Sequence, residues 1–272
     1  VNKITSARRL DVLFEGYALD LDGTVYLGDH LLDHAAEVVA KLRDRSSVVF
    51  VTNKPLETAE AYATKLTNLG IATESTDVVT PLDSLVYYLN DHHPGVTILT
   101  VAEQLVDDVL RAAGFKVTAD PFEAGLIVVS FDRTFNYAKL LAAYRAVNNG
   151  ATIVATNPDP FCPTPDGGLP DCAAMLAAVE ACTGVCAEAI VGKPSAHMGR
   201  AILQRLRVDP EKAVMVGDRL LTDIAMAKAL GMSSVLMLTG VTSVHELSGS
   251  EVQPDFVARD LLDLLPNGLD GP

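Results

Sequence analysis

Short runs of apolar and β-branched residues recur along the chain, each ending at a polar or glycine cluster and each followed by a helical pattern. The first covers residues 17–21 and stops at Asp22-Gly23, which reads as a buried strand entering a turn. Residues 34–43 carry apolar side chains at helical spacing, and residues 47–51 form a second buried run that ends at Thr52-Asn53. Pro55 then stands where a first helical turn begins, and residues 56–69 continue as a helix stopped by Gly70. Strand, helix, strand, helix in this rhythm specifies βαβ units and a parallel sheet covered on both faces.

The rhythm returns toward the C-terminus. Residues 189–191 read as a strand before Gly192-Lys193-Pro194, and 196–206 as a helix. A strand over 213–216 ends at Gly217-Asp218 and leads into a helix over 222–230, and a strand over 234–238 ends at Thr239-Gly240. Between these blocks, strands are expected at 97–101, 126–130 and 151–155, with helices at 82–90, 104–113, 137–148 and 173–183. Residues 157–170 hold prolines 158, 160, 163, 165 and 170, and read as a rigid polar loop of the kind that carries function. The expected fold class is α/β: a Rossmann-like parallel-sheet core over 1–80 and 185–272, interrupted by a smaller inserted α/β domain over 81–184.

Each polar cluster follows the carboxyl end of an expected strand, the edge where open α/β sheets bind ligands. Composition sharpens what such a site must contain. Against 21 Lys and Arg stand 35 Asp and Glu, a net charge of -14, which repels nucleic acid and anionic lipid at long range. A small anion therefore needs a local positive site made of a metal ion, a lysine or backbone N–H groups. No apolar run approaches the ~20 residues that span a bilayer, and residues 1–15 alternate charged and apolar residues with no signal-peptide core. A cytoplasmic location is the expectation. The four cysteines, Cys162, Cys172, Cys182 and Cys186, lack the paired spacing of a zinc site and are expected as buried reduced thiols.

Asp20 and Asp22 are two apart at a strand end, so both carboxylates can share one face. Two like charges so close call for a cation or a shared proton, and magnesium with oxygen ligands meets that need. Gly23 and Thr24 would let backbone N–H groups approach an anion, although an ordinary Asp-Gly turn has the same residues. Thr52 and Asn53 offer polar donors or a helix cap; Lys193 offers a cation or a solvated surface residue; Asp218 and Asp223 offer ligands or an acid-rich helix start. Four such clusters at strand ends, in this order, favour the functional reading of each, with Gly23, Thr24 and Asn53 expected to bind the substrate.

Asp20-Leu21-Asp22-Gly23-Thr24, Thr52-Asn53, Lys193, and Gly217-Asp218 with Thr222-Asp223 resemble the four motifs of the haloacid dehalogenase superfamily. The insert between the second and third motifs, with Ala155-Thr156-Asn157-Pro158-Asp159 inside it, resembles the nitrophenylphosphatase branch. The resemblance implies a magnesium-dependent phosphatase that hydrolyses small phosphorylated metabolites through an aspartyl-phosphate. It implies Asp20 as nucleophile, Asp22 as acid and base, and Thr52 and Lys193 as holders of the phosphoryl oxygens. Magnesium would be held by Asp20, the Asp22 carbonyl and Asp218, with Asp223 orienting Lys193 or a metal-bound water. The insert would act as a cap that reads the leaving group, and related caps often pair, which admits a homodimer. A phosphotransferase or mutase would use the same nucleophile, and a binding protein could keep the fold without the chemistry.

Two departures from the branch pattern bear on substrate. Lys54 replaces an expected asparagine, and either points to solvent or adds a positive charge beside the substrate. The stretch Asp159-Pro160-Phe161-Cys162-Pro163 lacks the histidine found in pyridoxal phosphate phosphatases, which argues against that substrate. Phe131, Phe161 and Cys162 are the candidate substrate-facing residues of the cap, ordinary cap packing being the alternative.

Overall fold

The computed structural model describes residues 10–164 and 167–266, so part of the N-terminal stretch read above, and Pro165, lie outside the described residues. The strands of the first half are β1 (Gly16–Asp20), β2 (Tyr26–Leu27), β3 (His30–Leu31), β4 (Ser47–Val51), β5 (Val78–Val79), β6 (Thr97–Val101) and β7 (Lys116–Val117). Those of the second half are β8 (Leu126–Val129), β9 (Thr152–Ala155), β10 (Phe161–Thr164), β11 (Gly167–Pro170), β12 (Ala189–Ile190), β13 (Ala213–Gly217), β14 (Ser233–Met237) and β15 (Phe256–Ala258). The described residues fall into two compact units, one within Val1–Thr52, Ala59–Val79 and Gly199–Pro272, the other within Asn53–Thr58 and Thr80–Met198.

The first unit is built on a six-stranded sheet in the order β15-β14-β13-β1-β4-β5, with every pairing parallel. β1 and β13 are buried at every position, as strands covered on both faces must be, and this is why they read as continuous apolar runs rather than alternations. Tyr17, Leu19, Phe50, Val214 and Val216 supply one core face, against Val38, Val39 and Leu42 of the helix Ala35–Arg43. After β1 the amide groups of Thr24, Val25 and Tyr26 converge on the Leu21 carbonyl, and the chain turns back as a short β2–β3 hairpin. That hairpin has too few residues to show a periodicity, and the sequence gives no sign of it.

The second unit has its own parallel sheet, ordered β12-β9-β8-β6-β7. Here the structure corrects the sequence reading. Ala189–Ile190, expected in the first sheet, pairs with Val154 and Ala155 of β9, so the segment that carries Lys193 belongs to the second unit. A two-residue strand has no pattern that could say which sheet it joins.

Three further expectations change. Residues 157–170 are not all loop: β10 and β11 form an antiparallel ribbon with Phe161 opposite Pro170 and Thr164 opposite Gly167. Proline is tolerated there because a two-stranded ribbon has outer edges that need no N–H donor. The helix expected from residue 56 begins at Ala59, because Pro55 opens a turn instead. The helix expected over 222–230 begins as a single wide turn, Leu220–Ile224, before the regular helix Ala225–Leu230.

Candidate active site

Strand order alone assembles the first part of the site. β1 lies between β13 and β4, with Leu19 level with Val216 on one side and Phe50 on the other. Asp20 is the last residue of β1, and Thr52 and Asp218 each stand one residue beyond the neighbouring strand. The three therefore come side by side at the carboxyl edge of one sheet. All are buried, Asp20 at 7% exposure, Thr52 at 2% and Asp218 at 1%.

Carboxylate oxygens of Asp20, Asp218 and Asp223 lie within 4.8 Å of one another. Asp223 joins them because the wide turn at Leu220–Ile224 brings it back over Gly217, and its Oδ2 also accepts the Arg219 N–H at 3.1 Å. Asp22 is not of this group. β1 ends at Asp20, so the strand alternation expected to carry both carboxylates to one face stops short of Asp22, which is half-buried in the turn beyond. The expected role for Asp22 in metal binding used its backbone carbonyl. For Asp223 the geometry offers a direct ligand in place of the outer role expected from sequence.

Backbone packs tightly around Asp218. Gly23 has φ +86, and a Cβ there would stand 2.6 Å from Asp218 Oδ2; one at Gly240 would stand 2.0 Å from the same atom. The Asp218 Oδ2 accepts the Val241 N–H at 2.7 Å, and the Thr239 hydroxyl donates to the Gly23 carbonyl at 2.6 Å. Three buried carboxylates at this spacing repel strongly without a cation. Their donor set is oxygen only, which fits a hard cation such as magnesium and does not fit a thiolate-seeking metal. The Thr24 hydroxyl, in the turn after Asp20, is buried with no hydrogen-bond partner among the described residues.

The second unit contains its own polar network, at the carboxyl edge of its sheet. Lys193, 2% exposed, follows β12. Its N–H donates to Asn53 Oδ1 at 2.8 Å, and its carbonyl accepts from Asn53 Nδ2 at 3.2 Å. The same Nδ2 donates to Asp159 Oδ2 at 2.8 Å. Both amide protons of Asn53 are thus engaged within the protein, and neither remains for a substrate oxygen, contrary to the expectation from sequence.

The other residues singled out in the insert separate by burial. Phe131, at 2% exposure, is buried, with the Arg133 guanidinium 5.9 Å from its ring centroid, and Cys162 is buried too. Phe161 is exposed and Lys54 is half-buried. The cysteines also divide: Cys162 and Cys172 are buried thiols as expected, whereas Cys182 and Cys186 are exposed. No helix among the described residues is long and apolar enough to cross a membrane.

Comparison with known proteins agrees with this geometry. The family model described as haloacid dehalogenase-like hydrolase matches residues 17–116, and a related hydrolase-like model of the same family matches 190–264. Sugar-phosphatase AraL of Bacillus subtilis is 34% identical over 250 residues, covering 92% of this chain and 91% of the relative. Among solved structures, 4-nitrophenylphosphatase from Thermotoga maritima superposes with a TM-score of 0.87 at 33% identity, covering 92% of this chain and 95% of that one. Glycerol phosphate phosphatase from Mycobacterium tuberculosis, in complex with magnesium, gives 0.86 at 31% identity, covering 94% of this chain and 78% of that one.

Proposed function

The chain belongs to the haloacid dehalogenase-like hydrolases and is a phosphomonoester phosphatase; on that footing we propose a magnesium-dependent reaction through an aspartyl-phosphate on Asp20. The observation that carries the proposal is the cluster of Asp20, Asp218 and Asp223 at the carboxyl edge of the parallel sheet. When bound by Asp20, Asp218, Asp223 and the Asp22 carbonyl, magnesium supplies positive charge that offsets the phosphoryl oxygens.

A carboxylate oxygen of Asp20 attacks phosphorus, a P–O bond to Asp20 forms, and the ester P–O bond breaks. Asp22 gives its proton to the leaving alcohol oxygen. Its carboxylate then takes a proton from water as that water attacks phosphorus, and the bond to Asp20 breaks to release phosphate. Separating attack from hydrolysis lets one acid serve both steps. Thr52 and Lys193 hold the phosphoryl oxygens; the Gly23 and Thr24 N–H groups, expected from sequence as anion donors, are already engaged by the Tyr26 and Leu21 carbonyls within the turn.

For the substrate class we infer a small phosphorylated sugar or polyol. Support comes from relatives of the sugar phosphatase type, which include an acid sugar phosphatase of Staphylococcus saprophyticus at 30% identity over 253 residues. The purified protein should hydrolyse p-nitrophenyl phosphate with magnesium and stop on chelation. Asp20→Asn should abolish turnover while the circular dichroism spectrum is kept. Failure to turn over with any divalent metal, or activity retained in Asp20→Asn, would overturn the mechanism. A panel of sugar phosphates, glycerol phosphate and nucleotides then tests the substrate class: a preference for nucleotides would sink it.

A further inference from the structure

We propose that Asp159 is a positioning residue for Lys193 and acts through the side chain of Asn53. This rests on the reading above that Lys193 holds the phosphoryl group. The proposal comes from a hydrogen-bond circuit in which one asparagine amide grips both sides of one lysine. Asn53 Oδ1 accepts the Lys193 N–H at 2.8 Å, and Asn53 Nδ2 donates to the Lys193 carbonyl at 3.2 Å. Together these fix the two peptide planes that flank the lysine Cα, and hence the direction in which its side chain departs.

Such a grip works in one amide orientation only. The orientation is set from outside, because the second Nδ2 proton goes to Asp159 Oδ2 at 2.8 Å. If the amide were flipped, its oxygen would face the Asp159 carboxylate and its NH2 would face the Lys193 N–H, and both contacts would repel. A carboxylate can only accept, so Asp159 selects the gripping orientation.

The segment that carries Asp159 also holds the remaining sides of the circuit. Asn157 Nδ2 donates to the Asn53 carbonyl at 3.1 Å, and its Oδ1 accepts the Asp159 N–H at 2.9 Å. The Gly192 N–H donates to the Thr156 carbonyl at 2.8 Å. A Cβ on Gly192 would lie 2.4 Å from that carbonyl oxygen and 2.6 Å from Asn53 Oδ1, so the strand and the amide close on each other with no room between. Asp159 and Asn53 are 106 residues apart in sequence, and Asn53 and Lys193 are 140 apart. A contact so precise between such distant residues is what holding a reactive lysine in place requires.

Kinetics with p-nitrophenyl phosphate at saturating magnesium test the circuit. In Asp159→Ala and in Asn53→Asp, kcat should fall about 10- to 100-fold, the range for losing an outer partner of a reactive group, with a smaller change in KM. Asp159→Asn keeps an oxygen that can accept from Asn53 and should retain most of the wild-type kcat. The double variant Asn53→Asp/Asp159→Asn restores a donor and an acceptor in exchanged places and should recover part of what Asn53→Asp loses. Hydrogen exchange of the peptide containing Lys193 should quicken in Asp159→Ala and stay slow in Asp159→Asn.

The proposal is overturned if Asp159→Ala keeps the wild-type kcat, or if Asp159→Asn is as impaired as Asp159→Ala, since charge rather than the hydrogen bond would then matter. Should Asp159→Ala fail to fold, the Asn53 pair decides: no recovery in the double variant overturns the circuit. Lys193→Met separates this from the underlying reading. Retained turnover in Lys193→Met removes the role of Lys193 and the circuit with it, whereas an inactive Lys193→Met beside a fully active Asp159→Ala removes the circuit alone.

Discussion

At Gly240 the space for a side chain is already taken by Asp218, whose Cβ and Oδ2 would lie 2.5 and 2.0 Å from an added Cβ. Neither backbone can yield, because the Val241 N–H holds the same carboxylate and the Thr242 N–H holds the Asp218 carbonyl. Gly240→Ala should therefore displace the Asp218 carboxylate and raise the magnesium concentration for half-maximal activity about tenfold or more. A magnesium titration checks it, and an unchanged titration argues that Asp218 is not a ligand. Cysteine reactivity belongs to this scale too. Burial pushes the Cys172 thiol up to about 11, which keeps it a thiol rather than the nucleophilic thiolate. A thiol reagent at pH 8 should modify Cys182 and Cys186 in the native protein, and reach Cys162 and Cys172 only after denaturation. Peptide mapping reads the outcome, and labelling of native Cys172 would contradict its burial.

Elements differ in how plainly sequence declares them. β1, β4 and β13 were legible because strands buried on both faces must be apolar throughout, and the polar residue that ends each run marks the sheet edge. The helix Tyr137–Asn148 was legible to the residue, since Asn136 caps it by accepting the Lys139 N–H. Much of what was hidden had one of two causes. β2, β3, β5 and β7 have two residues each, too short for any period, and β12, read as a strand, is too short to declare the sheet it joins. The inclusion of Asp223 in the acid cluster depends on a wide turn whose geometry no residue pattern announces. The role of Asn53 was misread for a related reason: its partners Asp159 and Lys193 are distant in sequence, so an amide after a strand looked like a substrate donor. Thr80 gives a test at this scale. It starts the helix Pro81–His92 by accepting the Asp83 N–H, while Asp83 accepts the Thr80 N–H in return. Thr80→Ala should lower stability by about 1 kcal/mol, seen as a lower midpoint in urea unfolding. A midpoint unchanged by the substitution would mean that the cap is dispensable there.

Across the whole molecule, an acidic chain must still hold some carboxylates in charged, bonded positions, and each unit offers a clamp of this kind to test. In the second unit the Arg133 guanidinium grips Glu103 through two bonds, Nε to Oε1 at 2.6 Å and Nη2 to Oε2 at 2.8 Å, and holds its carboxyl below the ordinary value of 4.5. In the first unit burial works to raise the Asp255 carboxyl, but Lys228 and the N–H and hydroxyl of Ser234 outweigh it, and the result is below the ordinary 3.8. Both groups bind protons less readily folded than unfolded. Their contribution is therefore complete above the unfolded values and is lost as pH falls through the folded ones. Urea midpoints should hold between pH 7 and about 5, above the ordinary carboxylate range, and fall below it. Asp255→Asn and Glu103→Gln lower stability at neutral pH, yet each should flatten a separate part of the acid fall. The two clamps share no partners and lie in different units, so their effects should add. A double variant whose acid fall is as steep as the wild type's would show that other carboxyls, and not these two clamps, set the acid limit of the fold.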